Sequence, residues 1–301
     1  MKMQAKKLMF HKLISNFKSE VISFQLKLKI AKIIDDKNIF NYAKPFVAYH
    51  AACIISNGRF YKVATNSSNT ILKEYENFVL FKNAVSGADI LPKLMLVTGE
   101  SPYLVMNRLY PISENELYIS ASKLLVVLKA KGKVKLSEIN QHWKLEAGLK
   151  LLTIILRDGK IEVVKEQLKT IFKKEMRIGI THGDFCFSNV MFDEFGKIKL
   201  IDFDCVEEFG IQDLDIINWV VFDLQKKLNM DWRLVILNIE SHISESEKIM
   251  LLLTSLTMSL KEVLLIYFVE RIGKISKFYP GSFMNDSELN YKVIDFLIEA
   301  E

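Results

Sequence analysis

The spacing of apolar residues changes period several times along this chain, and each change marks a boundary between elements. Met9, Leu13, Phe17, Val21 and Phe24 recur at steps of three and four between lysines, which predicts an amphipathic helix over much of residues 3–33. Pro45 closes that pattern. Residues 46–55 and 59–65 are short runs rich in Val, Ile, Phe and Tyr around Ser56-Asn57-Gly58, a turn sequence that predicts two antiparallel strands. Within residues 70–84, Leu72, Tyr75, Phe78, Val79 and Phe81 return to helical spacing. Two more strand-like runs, 93–97 and 103–106, flank Thr98-Gly99-Glu100-Ser101-Pro102 as a second hairpin.

Beyond Ser113 the pattern predicts helices over 114–131, 136–156 and 161–174, with a turn at Asp158-Gly159. One later strand region follows at 178–204, where Val190-Met191-Phe192 and residues 197–201 flank Asp193-Glu194-Phe195-Gly196 as another hairpin; after Leu214 the pattern is helical again. The reading is an α+β chain. A basic helical extension occupies 1–40, a small β-rich N-lobe 41–108 and a larger, mainly helical C-lobe 109–301.

Composition narrows the setting. With 301 residues, half of them apolar, the chain can bury a core in each lobe. Cys53, Cys186 and Cys205 have the spacing of neither a disulfide framework nor a paired-cysteine zinc site, which places the chain in a reducing compartment, the cytoplasm by default. Residues 1–28 lack the apolar run of a signal peptide. The most apolar stretch, 250–272, contains Lys261 and Glu262, and each charge costs about 2.5–3.5 kcal/mol to insert in a bilayer, so it reads as a core helix. The net charge of +5 comes from lysines spread along the whole chain, and no nucleic-acid partner is expected. The first helix sets Glu20 against eight lysines. That helix either packs on the body of the protein or makes peripheral contact with an anionic membrane surface at the inner membrane face.

Chemistry concentrates in Ile180-Thr-His-Gly-Asp-Phe-Cys-Phe-Ser-Asn-Val-Met-Phe and, past the hairpin, Ile201-Asp202-Phe203-Asp204. Phosphoryl transfer needs a group to receive the acceptor's proton and hard oxygen ligands for Mg²⁺. Asp184 suits the first task. Asn189 at the start of one strand and Asp202 at the end of its partner would lie side by side across the hairpin and supply the second. Asp184 and Asn189 could also simply cap turns, and His182 before a turn reads as scaffold. Asp202 is harder to explain that way, because it follows an apolar run where an unpaired carboxylate is costly.

The run His182-Gly183-Asp184 with Asn189, followed by Ile201-Asp202-Phe203-Asp204, resembles the catalytic and metal-binding loops of the aminoglycoside phosphotransferase and choline kinase superfamily, which shares a protein-kinase-like two-lobed fold. The resemblance implies Asp184 as the catalytic aspartate, Asn189 and Asp202 as Mg²⁺ ligands, His182 as a support of the loop, and Asp215 as the helix-opening aspartate that buttresses it. It also implies ATP or GTP as phosphoryl donor. Lys62, on the strand after the first turn, would then hold the nucleotide's phosphates and Glu74 would hold Lys62, with Glu76 as the alternative. Backbone groups around Met106 to Arg108 would meet the base. The departure from the family is that residues 46–56 contain no glycine, where a loop covering phosphates usually needs one.

The acceptor is less legible. Asp204, Glu207 and Glu208 could hold a cationic acceptor, and Trp143, Trp219 and Trp232 are too scattered in sequence to form the aromatic box of a choline kinase. The basic chain suits an anionic glycan better, and Phe185-Cys186-Phe187-Ser188 resembles kinase-like proteins of capsule and lipopolysaccharide biosynthesis. The expectation is therefore a phosphotransferase acting on a sugar hydroxyl of a bacterial surface polysaccharide or lipopolysaccharide. Alternatives are an aminoglycoside or choline-type metabolite kinase, or a non-catalytic nucleotide-binding pseudokinase.

Overall fold

A computed structural model describes residues 28, 30–33, 46–47, 51–64, 68–85, 89–128, 133–135, 143–156, 159–244, 246–278 and 287–299. The chain divides into two compact units. One comprises residues 1–76, 91–110 and 193–197, the other 77–90, 111–192 and 198–301.

The first unit is built on a five-stranded antiparallel sheet of order β1-β2-β3-β5-β4, with β1 Phe46–Val47, β2 Ala51–Ser56, β3 Arg59–Ala64, β4 Met95–Val97 and β5 Tyr103–Asn107. Asn57 and Gly58 both take positive φ (49° and 70°), the conformation that a two-residue hairpin between right-twisted strands requires. Alternation along β2 sends Ala52 and Ile54 to one face, where they pack with Val63 and Ile30, and Ala51 to the other, where it meets Ile71 and Leu104. Residues 28 and 30–33 are helical and Ile30 is fully buried; the rest of the expected basic helix lies outside the described residues.

One expectation is corrected. Residues 46–55 do not form a single strand: Phe46 and Val47 pair back onto Cys53 and Ala52 as a separate strand. The strand-like composition of the run hides the division, since Phe46, Val47 and residues 51–55 are alike apolar. With that split, Lys62 stands on the third strand of the sheet. The connecting residues 48–50 lie outside the described residues.

Helix α1 (Ser68–Ala84) starts in the first unit and ends in the second. The second unit adds α2 (Glu114–Val127), α3 (Trp143–Ile155), α4 (Lys160–Phe172), α5 (Gln212–Leu228), α6 (Trp232–Leu237), α7 (Ile239–Ser244), α8 (Glu247–Leu253), α9 (Leu260–Phe278) and α10 (Ser287–Ile298). Of the expected 136–156 helix, residues 136–142 lie outside the described residues and Trp143–Ile155 is helical; after the short strand β6 (Tyr110–Pro111), Lys133–Lys135 form a strand, β7, which pairs with β8 (Glu175–Thr181). Strand β11 (Glu207–Ile211) pairs with the other edge of β8; its two leading glutamates and an irregular register obscure the alternation that would have revealed it. The expected hairpin is present as β9 (Val190–Phe192) and β10 (Ile198–Leu200).

Helices α3 and α9 pack with their backbones in contact. A Cβ on Gly148 would lie 1.9 Å from the Val269 carbonyl oxygen, and one on Gly273 would lie 2.0 Å from that of Lys144. Two glycines thus set how closely α9 approaches, and α9 carries charged residues that matter below. The stretch 250–272 is not one helix: it breaks between α8 and α9, and no helix among the described residues is long and apolar enough to cross a membrane.

Candidate active site

The segment 182–189 connects β8 to β9 as a tight loop closed by a single 3₁₀ turn, Phe187–Asn189. Gly183 takes φ 71°, and a Cβ there would fall 2.0 Å from the Cys205 carbonyl oxygen, so no other residue fits the position without a shift. The first turn of α5 holds this loop by its backbone. Asp215 accepts from the His182 N–H with Oδ2 (2.8 Å) and from the Gly183 N–H with Oδ1 (2.9 Å), and Asn218, one turn on, donates to the Phe185 carbonyl at 3.0 Å. Burial leaves the Asp215 carboxyl above its ordinary range despite His182 and these two N–H donors.

His182 is fully buried, ringed by Phe81, Phe185 and Phe203. Its Nε2 lies 2.9 Å from the Ile201 carbonyl oxygen, which can only accept, so Nε2 carries the proton. The ring therefore ties the loop to the residue before Asp202. Ile201 also donates its N–H to the Asn189 carbonyl at 2.9 Å. This extends the β9–β10 ladder by one step and sets Asp202 just beyond Asn189. Asp202 has φ 67°, an uncommon and strained conformation for a residue with a side chain. The next residue anchors it: Phe203 packs on Phe78 and Phe81, and its carbonyl accepts from Asn77 at 2.9 Å.

Asp184 is partly exposed. Asn189 donates its amide nitrogen to the Asp184 carbonyl oxygen (2.8 Å) and to Oδ2 (3.2 Å), and Lys274 of α9 reaches Oδ1 at 2.5 Å and the Gly183 carbonyl oxygen at 3.2 Å. Burial alone would push the Asp184 carboxyl up; the Lys274 ammonium, with help from His182 and Arg271, outweighs it and holds the group below its ordinary value. Asp184 is thus an ionised acceptor, with Oδ2 turned toward Asn189 and Oδ1 toward Lys274. Because the Asn189 amide nitrogen is committed to Asp184, its amide oxygen is left without a hydrogen bond among the described residues. That oxygen and the Asp202 carboxylate are hard donors of the kind Mg²⁺ takes, so the residues fit the ion.

In the first unit, Lys62 Nζ lies 2.7 Å from Glu74 Oε2, with side chains 11% and 5% exposed. Glu76 is exposed and pairs with Lys73 instead. Met106 is buried on β5 opposite Phe60, and Arg108 donates its backbone N–H to the Gly58 carbonyl at 3.0 Å.

The acidic trio considered for a cationic acceptor does not stay together: Glu207 is paired with buried Lys144 at 3.1 Å, while Asp204 and Glu208 are exposed. Of the three tryptophans, Trp143 is exposed and Trp219 packs on Tyr118 and Phe185. Trp232 does contribute to an aromatic cage, with Phe222 and Tyr267, but the guanidinium of Arg271 fills it, at 4.9, 4.7 and 5.5 Å from the three ring centroids. Sequence reading passed over Arg271, Lys274, Lys144 and Asn218. A faint signal existed, since Glu270, Arg271 and Lys274 follow the apolar run 263–269 within about one helical turn of each other.

Residues 136–207 match the model of the phosphotransferase enzyme family, a stretch that contains Asp184, Asn189 and Asp202. Over that stretch the chain is similar to phosphotransferases, and it has the α+β kinase-like fold expected from its sequence. Among solved structures it is similar to a choline/ethanolamine kinase family protein from Mesorhizobium loti (12% identity over 92% of this chain and 95% of that one, TM-score 0.55). It is similar also to the choline kinase LicA from Streptococcus pneumoniae (12% identity, 90% and 99%, TM-score 0.51) and to a thermostable mutant of aminoglycoside phosphotransferase APH(4)-Ia (15% identity, 82% and 89%, TM-score 0.50). At such identities the likeness carries the fold alone. No curated protein sequence matches the chain.

Proposed function

We propose that the chain transfers the γ-phosphoryl group of ATP or GTP to a sugar hydroxyl of a bacterial surface polysaccharide or lipopolysaccharide. The observation that carries the transfer reaction is the Asp184 carboxylate, ionised and fixed by Asn189 and Lys274 in a loop that α5 holds by its backbone. In this reading the acceptor oxygen attacks the γ-phosphorus, the bond to the β–γ bridging oxygen breaks, and the hydroxyl proton passes to Asp184 as the nucleoside diphosphate leaves. Asn189 and Asp202 would hold Mg²⁺, which when bound neutralises phosphate charge. Lys62, oriented by Glu74, would position the phosphates, and the backbone from Met106 to Arg108 would take the base. His182 and Asp215 act through the loop and not on substrate. The net charge of +5 and the Phe185-Cys186-Phe187-Ser188 loop support a surface glycan as acceptor over a cationic metabolite.

The test is incubation of the full chain with γ-labelled ATP, Mg²⁺ and separate pools of sugars, lipid-linked glycans and aminoglycosides, read as a phosphate mass shift on the acceptor. Transfer to a glycan pool that is lost in Asp184→Asn supports the reading. Tight nucleotide binding with no transfer to any pool would make the chain a binding module, and transfer confined to aminoglycosides would overturn the glycan assignment.

A further inference from the structure

The face of α9 turned toward the catalytic loop carries Tyr267, Glu270, Arg271 and Lys274, which share one side of the helix at steps of three and four. Two of these are cations that act on Asp184: Lys274 bonds its Oδ1, and Arg271 also lowers its affinity for a proton. Of the carboxylates nearby, Asp184 is held by Lys274, while Glu270 is influenced first among charged groups by Lys144. Lys274 therefore stands on the oxygen that the acceptor hydroxyl would approach, and Arg271, one turn away on the same face, is tied to the catalytic loop through Asn218, which bonds both its Nη1 and the Phe185 carbonyl.

Both are placed to receive a ligand. The side chains of Lys274 and Asp184 are 22% and 27% exposed, so the pair is open to solvent, unlike a closed structural ion pair. Arg271 is oriented by its surroundings: Nη1 donates to Asn218 Oδ1 at 3.1 Å and to the Tyr267 hydroxyl, and Nε is buried without a partner. Of its donor nitrogens that leaves Nη2, for which no hydrogen bond is found among the described residues and which is not buried. The aromatic cage formed by Phe222, Trp232 and Tyr267 is filled by this guanidinium, so a quaternary or primary ammonium ligand has no cage to enter and would meet like charge. An oxyanion would meet a fixed, half-desolvated guanidinium and an ammonium, which suits the forked, charge-assisted bonds that carboxylates and phosphates form.

We propose that Arg271 and Lys274 form the specificity subsite for the acceptor, and that the acceptor is a sugar bearing an oxyanion, a carboxylate or a phosphate, near the hydroxyl that is phosphorylated. This rests on the phosphotransferase reading and adds to it the charge class of the substrate and the residues that select it. Lys274 bridges the two tasks: it holds Asp184 before the acceptor binds and turns partly to the acceptor's anion afterwards.

The test is calorimetric titration of the full chain, loaded with Mg²⁺ and ADP, with four matched rings: glucose 6-phosphate, glucuronate, glucose and glucosamine. The expected result is that the phosphate- or carboxylate-bearing ring binds at least about tenfold more tightly than glucose, with glucosamine weakest, as one charge-assisted contact would give. In Arg271→Gln and in Lys274→Gln that preference falls toward unity. Arg271→Lys keeps the charge in the cage and retains most of it, which separates loss of the subsite from loss of the fold. Four rings binding alike in the native chain, tightest binding by glucosamine, or a preference unchanged in both glutamine variants would each overturn the proposal. So would weakened ADP binding in Arg271→Gln with the sugar preference intact, since that assigns the cations to the nucleotide. ATP consumption dependent on Asp184, followed in the same samples, reports on the parent reading separately: turnover without anion preference removes only the subsite.

Discussion

Each of the two units holds one candidate site residue in an ion pair, and the pairs differ in how they are closed. Lys62 and Glu74 meet at 2.7 Å with both side chains nearly sealed from solvent, whereas Lys274 and Asp184 meet at 2.5 Å with about a quarter of each still exposed. A sealed pair is rigid: its partners keep each other's orientation and nothing of ligand size displaces either without leaving a buried charge. An open pair is exchangeable, because water or substrate can take over what one partner gives up. The first arrangement suits a lysine that must always point one way, and the second suits a carboxylate that must change partner during a reaction cycle.

The largest effect expected is on the open pair. Asp184→Asn removes the proposed proton acceptor while keeping its shape, and transfer should fall by roughly 10²–10⁴-fold, as for loss of a general base. The melting temperature should change little, since an exposed pair contributes modestly to stability. Transfer that survives in Asp184→Asn would mean that another group receives the proton.

The sealed pair should show the opposite signature. Glu74→Ala leaves the Lys62 ammonium buried without its counter-charge, and unfolding in urea should show a loss of about 3–5 kcal/mol. Two residues along the same helix, Glu76→Ala removes an exposed partner of Lys73 and should stay within about 0.5 kcal/mol. If the two alanine variants were equally stable, the sealed pair would not be the structural element that its burial indicates.

These pairs also separate what a sequence reveals from what it hides. Lys62 and Glu74 lie twelve residues apart in adjoining elements, each element legible from its own period, and the loop 182–202 is a contiguous run in which the family resemblance can be read. Lys274 is ninety positions from Asp184, on a helix read only as core, and nothing in the alternation of apolar residues says which loop its charged face meets. The approach of that helix is decided by Gly148 and Gly273, and in a one-dimensional reading a glycine in a helix registers as a weakness, not as a contact. The split of residues 46–55 into two strands was hidden for a related reason, since residues 48–50 include none of Gly, Pro, Asn, Asp or Ser to mark a turn.

Gly273→Ala tests that packing directly. The added Cβ would fall 2.0 Å from the Lys144 carbonyl oxygen, an atom that cannot rotate away, so α9 must shift. A loss of about 1–3 kcal/mol is expected, as for overpacking elsewhere. Transfer should fall further than stability alone explains, because Lys274 is the next residue along the displaced helix. Stability lost with the rate per folded molecule unchanged would show that the open pair tolerates movement of its support.

The smallest effect expected is a dependence of stability on pH that comes from the residues linking these helices. Glu270 lies beside Arg271 on α9, and its carboxyl is pushed up to about 7, chiefly by burial; Lys144 and Lys274 pull it down, while Glu207 and Asp215 push it further up. The folded chain therefore binds this proton more tightly than the unfolded chain, in which the group has its ordinary value near 4.5. Stability from this group is fully present below about pH 4.5 and is lost as pH rises to about 7, the reverse of what the depressed Asp184 carboxyl contributes. The urea midpoint of the native chain, compared with that of Glu270→Gln at intervals from pH 4.5 to 7.5, isolates the contribution, because glutamine keeps the shape and cannot ionise. The native chain should lose stability relative to the variant across that window. Parallel curves would mean that Lys144 compensates the Glu270 charge fully, which would make this a closed pair like that of Lys62 and Glu74 and unlike the open one of Asp184 and Lys274.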